Sequence, residues 1–341
     1  MKTAFIAALA AAALAGCSTE PAGTRLEPTG VIVASQPGTI TGDPQIVRDG
    51  DEWLMYMFRT AKGAPHVRTL YATANGLRNK WSEPVSLEGL DGYHKFVVLT
   101  DEHGRPARIG GAYHGYAASF DGDLASKSIA HFSAPGLKGP WSRTGTVIAK
   151  GAPGSRDGFS TDTPSAVVKD GVIDLVYMGA PDQPLPLFGL AERMLRATAP
   201  NPAGPFAKQP DDVMLPSTDV NAWDHGWLGG AQRIRLSDGS WMMVYNAGSS
   251  RPERPGEEPL TSRIGYAYAP THQGPWTRDR GNPYLSPSPQ NPMHVWRGFM
   301  AQEDGDWLLF YNFGSGTERI TYAEPLTWWG AAVESLQRTQ Q

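Results

Sequence analysis

WMMVYN (241–246) is an apolar run that closes on a tyrosine, and it recurs along the chain. Its counterparts are WLMYM (53–57), VIDLVYM (172–178), WLLFYN (307–312) and the weaker GAYHGYAA (111–118). Aligned on Tyr56, Tyr116, Tyr177, Tyr245 and Tyr311, the copies are spaced by 60, 61, 68 and 66 residues. A second run follows each tyrosine after a variable loop: TLYATA (69–74), SIAHFSA (128–134), RMLRATA (193–199), RIGYAYA (263–269) and RITYAEP (319–325). A turn with a bulky aromatic comes next in NKW (79–81), KGPW (138–141), AGPF (203–206) and QGPW (273–276). Another strand precedes each tyrosine run, joined to it through RDGDE, DEHGRP, KDGV, SDGS or EDGD, and most of these hold the Asp-Gly pair of tight hairpins.

Each unit therefore reads as a four-stranded antiparallel meander of about sixty residues, and a lone meander leaves its apolar faces bare. Packing the units radially covers those faces and keeps exposed sheet edges short. The expected fold is all-β: a five-bladed β-propeller of four-stranded antiparallel blades. An irregular β-sandwich is the alternative, and it does not account for five repeats in phase. The segment GVIVAS (Gly30–Ser35) precedes the first unit and is expected to supply the outer strand of the last blade, closing the ring. The propeller would span residues 31–330, with 331–341 as a C-terminal tail.

The first residues, MKTAFIAALAAAALAGC, have a positive end at Lys2 and an apolar run from Ala4 to Ala15, too short for a convincing membrane span. Leu14-Ala15-Gly16-Cys17 resembles the lipobox of bacterial lipoproteins, in which the cysteine is lipidated. Cys17 is the sole cysteine, so no intramolecular disulfide can form. The resemblance implies a signal peptide over 1–17, a tether over 18–30 (STEPAGTRLEPTG), and a lipid anchor in the bacterial envelope. Ser18 points to the outer membrane. The alternative is an ordinary secretory signal that contains a cysteine.

A net charge of −4 gives no reason to expect nucleic acid, which usually meets a basic face. Eleven Trp and twelve Tyr offer flat platforms for sugars, although sheet and core packing accounts for most such residues. No P-loop, dinucleotide-binding glycine pattern, HExxH or nucleophile elbow occurs.

Propeller topology sorts the acids. Asp49, Asp170, Asp238 and Asp304 sit in hairpins between the first and second strands and read as turn-formers on one face. The starts of the inner strands open on the other face: TGDPQIV, GYHKFVV, STDTPSAV, WDHGWLGGAQ and MHVWRGFM. They bring Asp43, His94 with Lys95, Asp162, Asp224 with His225, and His294 with Arg297 toward one axis. Any one of these could be a mere cap or turn group. Carboxylates converging from separate blades also shift each other's proton affinity, as acid–base pairs require. Loops between second and third strands should wall this cleft, and two are long: APDQPLPLFGLAE and AGSSRPERPGEEPLTSR.

The Asp-Pro strand, the T-D-T-P strand start and the blade rhythm resemble the five-bladed propeller glycoside hydrolases, above all the family-43-type arabinanases, arabinofuranosidases and xylosidases. The resemblance spans about residues 38–325. It implies that Asp43 is the general base and Asp162 the residue that tunes the acid. The family's acid stands in Glu-Gly-Pro or Glu-Ala-Pro, and neither tripeptide occurs here. Asp224 takes that role on the inner strand of blade four, with Glu192 in reserve. For Glu192 a surface ion pair with Arg193 or Arg196 is the plainer expectation. His294 matches an axial histidine that holds water or a metal, and a structural calcium ion on the axis is the only cofactor the resemblance suggests.

Phe159, Phe188, Trp223, Trp227, Trp296 and Phe313 are the aromatic candidates for sugar stacking, against core packing as the alternative. With His94, His225, His294 and Arg297, the residues Phe159, Trp223 and Trp296 make the expected substrate-binding set. The expected activity is inverting hydrolysis of a furanose- or pentose-containing glycan by a monomer. Two other readings stay open. One is a glycan-binding propeller without catalysis. The other is a propeller glycoside phosphorylase in which Lys95, His225, His294 and Arg297 hold phosphate.

Overall fold

The computed structural model describes residues 31–61, 66–120, 127–181, 192–248, 262–286, 294–314 and 319–325. The leader with Cys17, the tether, Phe188, the tail, and the side chains of His294 and Phe313 lie outside what is described.

The strands assort into five antiparallel sheets. Blade one holds β2 (Thr39–Asp49), β3 (Glu52–Ala61), β4 (Val67–Ala74) and β5 (Val85–Ser86). Blade two holds β6 (Tyr93–Val98), β8 (Ala112–Ser119), β9 (Ile129–Ala134) and β10 (Ser142–Ile148), with a short extra strand β7 (Arg108–Ile109) paired to β8. Blade three runs β11 (Ser160–Lys169), β12 (Val172–Ala180), β13 (Arg193–Ala199) and β14 (Ala207–Lys208). Blade four runs β15 (Trp227–Arg235), β16 (Trp241–Gly248), β17 (Ser262–Ala269) and β18 (Thr277–Arg278). Blade five is β19 (His294–Glu303), β20 (Asp306–Gly314), β21 (Arg319–Pro325) and, outermost, β1 (Val31–Val33). The first strand of the sequence thus completes the last blade, as expected from GVIVAS, with Val31 opposite Tyr322 and Val33 opposite Thr321.

The innermost strands β2, β6, β11, β15 and β19 contact one another in a closed circuit. Among the described residues the buried apolar side chains do not form a single central core. Five apolar clusters lie instead between successive blades, for example Val176 and Met194 of blade three against Leu228 and Met243 of blade four. Tyr56, Tyr116, Tyr177, Tyr245 and Tyr311, the residues that phased the repeats, are all buried. Tyr56 and Tyr116 each donate to a carbonyl in the next blade's aromatic turn, Leu137 O at 2.8 Å and Pro202 O at 2.9 Å. A buried phenol needs such a partner, which explains a tyrosine where a phenylalanine would pack equally well. Around the axis, Gln45 brackets Val98 of blade two with two backbone bonds (3.1 and 2.7 Å), and Gln232 does the same to Met300 of blade five (2.9 and 2.6 Å).

Candidate active site

The inner strands carry one device five times. Register with the neighbouring strand slips at Gly42/Gln45, His94/Val97, Asp162/Ser165, Gly229/Gln232 and Trp296/Phe299. At each slip one residue adopts a left-handed backbone: Asp43 (φ 56°), Lys95 (54°), Thr163 (49°), Gly230 (62°) and Arg297 (46°). Such bulges re-aim side chains, and non-glycine residues held at positive φ cost about 1–3 kcal/mol and cluster at functional sites. Pro44 and Pro164 follow two of these residues, where a missing N–H is tolerated because the ladder is already broken. The device therefore brings Asp43, Lys95 and Arg297 to the cleft mouth, with His94 and Asp162 one position earlier on their strands.

Asp43 is buried, and its Oδ1 accepts from the fully buried Asn312 of β20 at 3.0 Å. Arg297 is buried too, donates to Pro164 O at 3.0 Å, and lies within the electrostatic reach of both Asp43 and Asp162. Burial lowers the proton affinity of its guanidinium, while the two carboxylates oppose that shift. Asp162 is the most heavily partnered acid. Lys95 Nζ reaches its Oδ2 at 2.9 Å, Lys127 Nζ reaches the same oxygen at 2.5 Å, and His94 Nε2 stands 3.6 Å from Oδ1. Burial disfavours its ionisation, yet Lys127, Lys95 and His94 together hold the carboxyl well below the usual range. His94 is wedged between Phe58 and Phe120, and Lys127 lies over the Phe120 ring at 5.4 Å.

Glu192 joins this group. It stands at the end of the loop leading into β13, on the cleft face, and its carbonyl accepts from Leu228 N of blade four at 3.2 Å. Burial pushes its carboxyl up to about 7; Lys95 and Lys127 pull the other way and Asp162 adds to the rise. The expected ion pair with Arg193 or Arg196 does not form, and Arg193 instead lies 3.9 Å from Asp212. A carboxyl group half protonated near neutral pH, beside an ionised carboxylate, is suited to general-acid work.

Asp224 departs from its expected role. It precedes β15 and accepts from Arg278 Nε at 2.5 Å and from Tyr245 at 3.5 Å, both in blade four. Blade three builds the same arrangement with Asp157, which is held by Lys208 at 2.6 Å and by Tyr177 at 3.0 Å. Asp157 lies five residues before Asp162, and Asp224 lies five before Gly229. Asp224 is thus the repeat counterpart of Asp157, a buried tie between second and fourth strands. The position matching Asp162 in blade four is Gly229, where an added Cβ would stand 2.2 Å from the Met178 sulfur. No acid fits there.

The remaining expected residues divide. Phe159 is half-buried at the head of β11, its N–H bonded to Ala180 O at 2.9 Å. Trp223 is half-buried: it stacks on Tyr245 (5.6 Å between centroids) and covers Gly265 in the cluster of blades three and four. His225 ties its own loop through Nδ1 and Ser217 O at 2.8 Å. Trp296 stacks on the buried Trp227 at 6.0 Å, which makes that pair a packing contact. Asp49, Asp170, Asp238 and Asp304 lie in the hairpins, as turn-formers should. No motif surrounds Lys127, whereas Asn312 closes the repeat WLLFYN one residue after Tyr311, as Asn246 closes WMMVYN, a recurrence that tells of the repeat and not of its bond to Asp43. Lys127 does precede a third strand on the cleft face, and that was the available signal.

A cavity of about 20 Å³, room for one water molecule, lies on the axis and is lined by residues of all five inner strands, among them Gln45, Ser165, Gln232, Arg233 and Arg297. Two guanidiniums and no carboxylate border it. Among the described residues no group of three or more metal-ligand side chains occurs. The described lining offers calcium neutral oxygens from Gln45, Thr100, Ser165 and Gln232 but none of the carboxylates it favours, and the side chain of His294 lies outside the described residues.

No protein-family model matches the sequence, and no curated protein matches it either. Solved structures do match in fold. One described as a glycoside hydrolase superposes with a TM-score of 0.68 at 13% identity, covering 87% of this protein and 90% of that one. A thermostable family-43 glycoside hydrolase gives 0.61 at 18% identity, over 86% and 92% of the two proteins. An α-L-arabinofuranosidase from Podospora anserina gives 0.59 at 11% identity, over 88% and 96%. The fold is shared with propeller glycoside hydrolases. At these identities the likeness is one of fold, and the chemistry has to be argued from the site.

Proposed function

We propose that the protein is a glycoside hydrolase that acts by inversion, with Asp43 as general base and Glu192 as general acid. The observation that carries this reading is the placement of Glu192, its proton affinity raised to about 7, in one cluster with Asp162 on the face that also bears Asp43. Asp43 activates water, Glu192 protonates the leaving oxygen, and Asp162 sets the affinity of Glu192 for its proton. Asn312 orients Asp43, and His94, Phe58 and Phe120 form an aromatic wall. Inverting enzymes separate their carboxyls by about 6.5–9.5 Å to admit water, a gap that acids from different blades can span across a propeller mouth. A furanose- or pentose-containing glycan is the proposed substrate class, in keeping with neighbours such as the arabinofuranosidase.

The test is turnover on arabinan, arabinogalactan, xylan and aryl furanosides, with product anomers followed by NMR. Asp43→Asn and Glu192→Gln should each lower kcat by 100-fold or more, about the size of a general acid–base contribution. Because Glu192 must be protonated, the wild-type rate should fall as pH rises through about 7. Full activity in either variant overturns the assignment. Glycan binding with no released reducing ends would instead favour a non-catalytic propeller. The envelope location is likewise proposed, through lipidation of Cys17, and a Cys17→Ser variant that still partitions with membranes would refute it.

A further inference from the structure

Among the described residues the cleft cluster sets three basic side chains, Lys95, Lys127 and Arg297, against Asp43, Asp162 and Glu192. Burial holds the Glu192 carboxyl up at about 7 and lowers the proton affinity of Lys127 and Arg297. Among these residues it is the hydrogen-bond donors that are in excess. Both ammoniums converge on one oxygen, Asp162 Oδ2; Lys95 has Thr163 Oγ1 besides, at 3.0 Å, and Lys127 has no second acceptor among the described residues. Arg297 spends one N–H on Pro164 O, and its buried Nη1 has no acceptor among the described residues. A buried charged donor without an acceptor is costly, so Arg297 needs one from outside the protein, a water in the adjoining cavity or a ligand oxygen.

The fold does not call for these cations. Blades three and four build the same left-handed bulge with Thr163 and Gly230 in place of Lys95 and Arg297. Lys95 keeps 20% of its side chain exposed, so the cluster opens to solvent through it. We propose that Lys95, Lys127 and Arg297 form an oxyanion-binding subsite beside the catalytic carboxyls. The anion is either a carboxylate or sulfate carried by the glycan or free phosphate. The location rests on the glycoside hydrolase reading, and the binding does not.

The experiment is calorimetric titration of the full-length protein with glucuronate, galacturonate, sulfate and phosphate, with arabinose as the neutral control. At least one anion should bind, Lys95→Gln should weaken it tenfold or more, and Lys95→Arg should retain it. Thermal unfolding of both variants checks that they fold. Tighter binding and faster cleavage of acidic than of neutral glycans assigns the anion to the glycan. Turnover that requires phosphate assigns it to phosphate, whose oxygen bonds to the anomeric carbon as the glycosidic C–O bond breaks and the leaving oxygen takes the Glu192 proton. Either result supports the subsite. No anion bound more tightly than arabinose, or binding unchanged in Lys95→Gln, overturns it; cleavage of neutral furanosides in that case leaves the hydrolase reading standing. Anion binding with no cleavage of any glycan does the reverse.

Discussion

Asp162 and Asp224 are both buried aspartates near the start of an inner strand, and their partners give them opposite tasks. Asp224 is bound to Arg278 and Tyr245 inside its own blade, whereas Asp162 has Glu192, Lys95 and Lys127 around it. Asp162→Asn removes a negative charge that raises the proton affinity of Glu192 and frees two ammoniums that lower it. Both changes act in one direction. The alkaline limb of the rate profile should move down by about one pH unit, the scale on which a neighbouring charge acts. Asp224→Asn should leave that limb and kcat/KM in place. It should cost about 1.5–3 kcal/mol of stability, because the charge-assisted hydrogen bond from the partly exposed Arg278 is lost, and appear as a Tm several degrees lower. An unshifted limb in Asp162→Asn, or a selective loss of kcat in Asp224→Asn, would reverse the assignment.

At the scale of the element, what could be read in the sequence was what repeats. Tyr56, Tyr116, Tyr177, Tyr245 and Tyr311 phase the blades because each fills the same buried place, and Asp43 and Asp162 stand out because strand starts share a register. Asp224 carries the same strand-start signal, yet its repeat counterpart is Asp157, which ties a second strand to a fourth. Glu192 and Lys127 come from loops whose length varies between blades, so their meeting at Asp162 is a tertiary fact with no local pattern, while Asn312 lies in the repeat itself and its bond to Asp43 is the tertiary part. The bulge ties the two levels together. Gly42 leads the Asp43 bulge, and a Cβ there would stand 2.3 Å from Asn312 Nδ2, the donor that orients Asp43. Gly42→Ala must displace that amide. It should lower kcat by roughly 10–100-fold, as small misplacements of catalytic groups do, with KM and the circular dichroism spectrum near wild type. A wild-type kcat would mean that Asn312 does not position Asp43.

For the whole molecule, the decisive joint is the closure of the ring. Four blades are each made from one continuous stretch of sequence, but blade five takes its outer strand from residues Val31–Val33. Val33 is buried in the cluster that joins blades five and one, with Ile46, Trp53, Phe299 and Phe310. Removing β1 strips that contact and leaves the backbone of β21 as an open sheet edge, a template for pairing with another molecule. Burial of one valine side chain is worth about 1.5–3 kcal/mol, and the lost ladder bonds add to it. Deletion of residues 31–35 should therefore lower Tm by roughly 5 °C, given a few degrees per kcal/mol in a protein of this size. Light scattering should also rise with protein concentration as the free edge finds partners. Val33→Asp tests the packing alone: it should lower Tm while leaving the edge paired, so scattering stays low. If the deletion left Tm unchanged, the ring would be held by blade-to-blade packing without its first strand, and the closure argument would fail.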